Sequence, residues 1–144
     1  MMFQVIAIFL CTISFCVLFS APKKEWIFCG AAGAMSWTIS AVVYRMSGQS
    51  VLATLVATMM LTLLSRVLAN VRKKPGTVYL IPGIFPLVPG AGIYYTSYYL
   101  IIGDMASSSA KGMETLESAV AIALGIVFIS ALPERLFKMR LFLR

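Results

Sequence analysis

Five long apolar runs separated by short polar breaks organise the chain: Phe3 to Ser20, Trp26 to Tyr44, Val51 to Ala69, Thr77 to Ile102 and Thr115 to Leu132. Each is near or above the roughly 18 to 20 residues that a helix needs to cross a bilayer about 30 Å thick. The pattern predicts an all-α integral membrane protein with five transmembrane helices, residues 1–144 forming a single transmembrane domain. The connections Ala21 to Glu25, Arg45 to Ser50 and Asn70 to Gly76 are short, so successive helices should pack as antiparallel neighbours. Gly103 to Gly112, with Ser107, Ser108 and Ser109, reads as the loosest loop.

The fourth run departs from the others. Ile81-Pro82-Gly83-Ile84-Phe85-Pro86-Leu87-Val88-Pro89-Gly90-Ala91-Gly92 places three prolines and three glycines inside an apolar stretch. Proline removes a backbone donor and clashes with the preceding turn, and glycine lets the chain leave helical geometry, so the fourth helix should be broken. Irregular backbone at membrane depth is tolerated where it is buried in protein or lines a cavity, which makes this run the first candidate for a binding site. A half-helix starting near Gly90 would aim unpaired amides at the break, a geometry that suits a carboxylate. A kinked helix that only packs is the competing account. Pro82, Gly83, Pro86, Pro89, Gly90, Gly92 and the nearby Tyr94 are the candidate residues here. Tyr95, Tyr98 and Tyr99 fit an interfacial aromatic belt.

Two other helices carry polar detail. In the second, Gly30, Ala31, Ala32, Gly33 and Ala34 form a small-residue face suited to close helix packing. In the third, Ser50, Thr54, Thr58 and Thr62 recur every four residues and lead to Arg66, so one face bears a hydroxyl stripe. Thr58 and Thr62 are candidate ligands with Arg66 as counter-charge. Against this, membrane hydroxyls commonly bond back to the carbonyl one turn earlier, and an arginine near a helix end commonly snorkels. Asp104 and Glu117 are the candidates for proton coupling, since a buried carboxyl can be raised into a range where it exchanges protons.

Composition and charge sharpen the class. With 60% hydrophobic and 12% charged residues, a soluble core has no means of hiding the apolar surface. The net charge of +7 would suit a nucleic-acid binder if it formed one patch, but the positions of the basic residues reject that. Lys23, Lys24, Arg66, Arg72, Lys73, Lys74, Arg135, Lys138, Arg140 and Arg144 fall on one side of the alternating topology, and Arg45 and Lys111 on the other. The positive-inside rule then puts the N-terminus outside and the C-terminus in the cytoplasm. Nothing basic precedes Phe3, which argues against a cleaved signal peptide. Cys11, Cys16 and Cys29 lie in apolar spans and the chain has no histidine, so neither a metal site nor a cysteine-histidine nucleophile is expected. No cofactor is indicated, and no paired carboxylates or nucleophile constellation suggest an enzyme.

Lys74-Pro75-Gly76-Thr77-Val78, followed by the proline-glycine core from Ile81 to Gly90 and then Gly92 and Tyr94, resembles the signature of the threonine/serine exporter family, in its small C-terminal-half form. The likeness extends more loosely from about Trp26 through the fifth helix. It implies a five-helix smaller subunit working with a larger five-helix partner subunit. The implied activity is export of small hydrophilic metabolites, either threonine and serine or a dicarboxylate such as succinate, driven by the proton gradient. The implied location is the plasma membrane of a bacterium, in contact with membrane lipid. A non-transporting membrane scaffold or assembly subunit is the alternative in which every polar feature is a packing device.

Overall fold

In the computed structural model, which describes residues 2–133, every regular element is a helix. Glu134, Arg135, Lys138, Arg140 and Arg144, and with them the expected cytoplasmic C-terminus, lie outside the described residues.

Helix α1 (Met2–Leu18) is stopped by Ser20, whose φ of 54° is left-handed, with Ala21 N–H bonding back to the Cys16 carbonyl and Pro22 following. A left-handed residue with a bond to the carbonyl five residues earlier and a proline soon after is an efficient stop. Lys73 (φ 51°), the Lys74 N–H to Ala69 carbonyl bond and Pro75 repeat the device at the end of α3 (Ser50–Arg72). Between them, α2 (Trp26–Ser47) ends at Gly48 with φ 68°.

The fourth run is interrupted as its prolines and glycines require. Helix α4 (Thr77–Ile84) gives way to a 3-10 turn over Phe85–Leu87, and α5 (Gly90–Ile101) restarts at an angle, the two halves being bent by 46°. Phe85 in the turn stacks on Phe15 of α1, ring centroids 4.1 Å apart, which pins the break against the first helix.

The last helix, α6 (Met105–Ser130), starts ten residues earlier than its apolar run. The expected loop from Gly103 to Gly112 is therefore corrected to a tight turn ending at Asp104. Asp104 caps the helix by accepting from the Ser107 N–H at 3.1 Å. The serines that read as loop spend their hydroxyls on backbone carbonyls: Ser108 donates to Thr96 and Ser109 to Met105. Glu114 and Glu117 consequently sit in the third and fourth turns of α6, away from its positive end.

Among the described residues three helical stretches are long and apolar enough to cross a membrane, Lys23–Ser47, Ser50–Arg72 and Met105–Ser130, and the bent pair makes a fourth when counted as one span. That differs from the five expected. The shortfall is α1, whose 17 residues rise about 26 Å before the Ser20 stop, less than the hydrocarbon core.

Helices α2, α3 and α4 form the body, closed on one side by α1 and on the other by α6. Small residues set the distances. A Cβ at Gly33 would collide with Thr12 of α1, and one at Gly125 of α6 would lie 2.9 Å from Thr58 Cβ. Ala32, Ala57, Leu61 and Leu87 fill the centre, and of the small residues expected to pack on α2, Gly30, Ala32, Gly33 and Ala34 are buried whereas Ala31 is exposed. Helix α5 packs against α6 and has no buried residue.

Candidate functional site

One end of the molecule gathers Lys23, Lys24, Arg72, Lys73 and Lys74 around the turn between α1 and α2 and the connection between α3 and α4. Its geometry is fixed by a cluster that the sequence pattern did not single out. Glu25, 3% exposed, accepts from Arg72 Nε at 3.0 Å and Nη2 at 2.9 Å, and from the Tyr79 hydroxyl at 2.8 Å. Arg72 also lies over the Phe28 ring, 4.5 Å from its centroid. The signal that was available is Glu25 itself, one carboxylate among lysines at the mouth of an apolar helix.

Beside this cluster, between α3, the start of α4 and the end of α6, lies a cavity of about 280 Å³ lined by Thr62, Ser65, Arg66, Asn70, Thr77 and Ser130 among others. Ser65 is 1% exposed and its Oγ has no hydrogen-bond partner among the described residues. A buried polar atom without a partner costs free energy, about 1–3 kcal/mol. Arg66 Nη1 donates to the Ile129 carbonyl at 2.6 Å and to that of Leu132 at 2.8 Å, so it also ties the end of α6 to α3.

A second cavity, of about 300 Å³, lies at the far end of α3 and is lined by Ser50, Pro89, Gly92, Lys111, Glu114 and Ser118 among others. Lys111 and Glu114 form an exposed ion pair at 2.7 Å in its wall. The start of α5 thus borders a cavity. A Cβ at Gly92 would collide with Thr115, which is why α5 can approach α6 here.

The candidate residues are distributed and do not form one centre. Thr62 and Arg66 line the cavity at the basic end. Pro89 and Gly92 line the far one. Pro82 is buried and Gly83 faces Leu61, both as packing within the body. Pro86 lies in the 3-10 turn. Gly90 begins α5 with open space around it, and Tyr94 is 64% exposed, stacked on Tyr98. Thr58 is fully buried against Gly125.

The stripe on α3 bonds to itself. Thr54, Thr58 and Thr62 donate to the carbonyls of Ser50, Thr54 and Thr58 at 2.7 to 2.9 Å. Their oxygens keep acceptor lone pairs and nothing to donate. Asp104 lies outside the helices as a cap, and its hydrogen bonds to Ser107 hold its carboxyl below the ordinary aspartate value. Glu117 is on an exposed face of α6. Neither lines a cavity described above. Cys16 and Cys29 are buried beside Tyr79, as expected of small apolar side chains, whereas Cys11 is exposed. No cluster of potential metal ligands occurs among the described residues.

Compared with known proteins, residues 4–132 match the family model described as Threonine/Serine exporter, ThrE. No curated protein matches the chain, and no solved structure does.

Proposed function

The chain belongs to the threonine/serine exporter family, a family of membrane transporters, and on that footing we propose that it is the smaller subunit of a two-component exporter whose substrate is a zwitterionic amino acid of the threonine and serine class. The observation that carries the reading is the unpartnered Ser65 hydroxyl in a polar cavity beside Arg66. Ser65 has a proton to donate to a carboxylate, Arg66 supplies positive charge, and the Thr62 oxygen, its own proton committed to Thr58, accepts from an ammonium. A dicarboxylate such as succinate fits less well, because Arg66 is the one cation among the described residues that line the cavity.

The basic end carries the cavity, so the positive-inside rule makes it the cytoplasmic mouth. A larger partner subunit in a bacterial plasma membrane completes the exporter in this reading, and the proton gradient drives it.

The test is efflux from exporter-deficient cells loaded with threonine, serine and succinate, comparing this chain, its partner and both together. Threonine and serine efflux with both present, reduced at least about tenfold by Ser65→Ala, supports the proposal, that loss being about 1.4 kcal/mol of transition-state stabilisation. Succinate efflux alone would overturn the substrate assignment. Absence of efflux, with both proteins inserted, would favour the scaffold reading.

A further inference from the structure

The hydroxyl stripe on α3 connects the two cavities. Ser50 lines the far cavity, Thr62 lines the basic-end cavity, and Thr54 and Thr58 lie between them on the same helical face. Twelve residues of helix separate the ends, about 18 Å. The facing surface belongs to α6, which runs parallel to α3. Ser118 shares the far cavity with Ser50, Gly125 meets Thr58, and the Ile129 carbonyl accepts from Arg66. Along this seam α6 contributes Ser118, Ala121 and Gly125, all buried and small.

Close packing of two membrane helices explains small residues and needs no cavities at the ends. It also does not explain why the stripe ends at a wall holding an unpartnered hydroxyl three residues beyond Thr62. A hydroxyl every turn, each with free acceptor lone pairs, gives a hydrophilic solute a partner at intervals of about 6 Å. The seam is tight at Gly125, where a Cβ would stand 2.9 Å from Thr58 Cβ and 3.2 Å from the Leu55 carbonyl oxygen.

We propose that the α3–α6 seam is the translocation path between the two cavities, with Thr58 against Gly125 as its constriction, closed in this conformation. The proposal rests on the export function argued above and adds the route. Alternating access then requires α6 to move relative to α3, and the Arg66 bonds to the end of α6 are placed to register that movement.

The experiment is cysteine substitution along α3 in cells that export, probed with a charged, membrane-impermeant thiol reagent. Ser50→Cys is expected to react in intact cells and Thr62→Cys once the membrane is opened, and Thr54→Cys and Thr58→Cys to react during export and to lose that reaction under saturating threonine. Leu52→Cys, Val56→Cys and Met60→Cys, on the exposed face, are expected to stay inert. Inert Thr54→Cys and Thr58→Cys in a protein that still exports, or labelling that threonine leaves unchanged, overturns the path while leaving the export function standing. Independently, Gly125→Ala is expected to cut export at least about tenfold, a barrier increase of about 1.4 kcal/mol. Export unaltered by Gly125→Ala overturns the constriction. If that variant fails to insert, the cysteine series decides.

Discussion

Glu25 shows how a single side chain can organise one end of a membrane protein. A carboxylate at 3% exposure is tolerated because Arg72 meets both its oxygens and Tyr79 adds a third bond. Such a group is worth more for what its loss does than for what its pairing gains, since an unmatched buried charge is strongly unfavourable. Tyr79→Phe should therefore destabilise the detergent-solubilised protein by about 2 kcal/mol, the scale of a hydrogen bond to a charged group. Arg72→Ala should do more harm than Tyr79→Phe, and the double replacement Glu25→Met with Arg72→Met should recover most of the loss. Thermal unfolding of the four proteins checks the ranking, and a double variant no better than Arg72→Ala would show that the pair is not what holds this end. Asp104 allows a pH test on the other side of the molecule. Its folded pKa is depressed by the Ser107 bonds, so the cap contributes above the unfolded value of about 3.9 and is lost as pH falls through the folded value. Asp104→Asn should keep the cap and abolish that pH dependence, whereas Asp104→Ala should lower the midpoint at neutral pH. Both are read from midpoints measured across acid pH.

At the scale of elements, the interrupted segment divides into a part that packs and a part that borders space. Gly83 faces Leu61 inside the body, Gly92 is pressed against Thr115, and Gly90 between them has nothing near it. Equal-looking glycines therefore predict unequal outcomes. Gly92→Leu should wedge α5 away from α6, fill the far cavity and reduce export at least about tenfold, a barrier change of about 1.4 kcal/mol. Gly90→Leu should insert and pack normally, so any export lost there, measured beside its insertion level, would report contact with substrate or partner and not distortion of this chain. Much of this element was legible, because proline and glycine act on their own backbone and need no neighbour to break a helix. The start of α6 was not. Gly112 and three serines look like a loop, yet Gly112 fits under Thr96, Ser108 reaches the Thr96 carbonyl, and Asp104 caps the turn. Each of those compensations comes from tertiary or capping geometry that hydropathy does not record. The binding candidates separated for the same reason. Spacing placed Thr58 and Thr62 on one face, but only packing against Gly125 decides that Thr58 is sealed while Thr62 borders a cavity.

For the whole molecule the arrangement of charge makes the strongest claim. Lys23, Lys24, Lys73 and Lys74 belong to connections that the Glu25 to Arg72 ion pair brings to one end, and Arg45 and Lys111 belong to the other, at the end of α2 and in the wall of the far cavity. The alternation expected from the sequence is thus consistent with the three-dimensional arrangement for every basic residue that lies within the described part. Short connections respond to the distribution of lysine and arginine during insertion, so the basic end should face the cytoplasm. A cysteine in place of Lys73 should react with an impermeant thiol reagent only after the membrane is opened, and one in place of Lys111 should react in intact cells. The reverse pattern would place the Ser65 cavity outside. The labelling therefore fixes which of the two cavities faces the cytoplasm as well as the topology. Dual labelling at both positions would instead mean that the chain inserts in two orientations. A second copy of opposite orientation would then have to be considered as the missing half of the transporter.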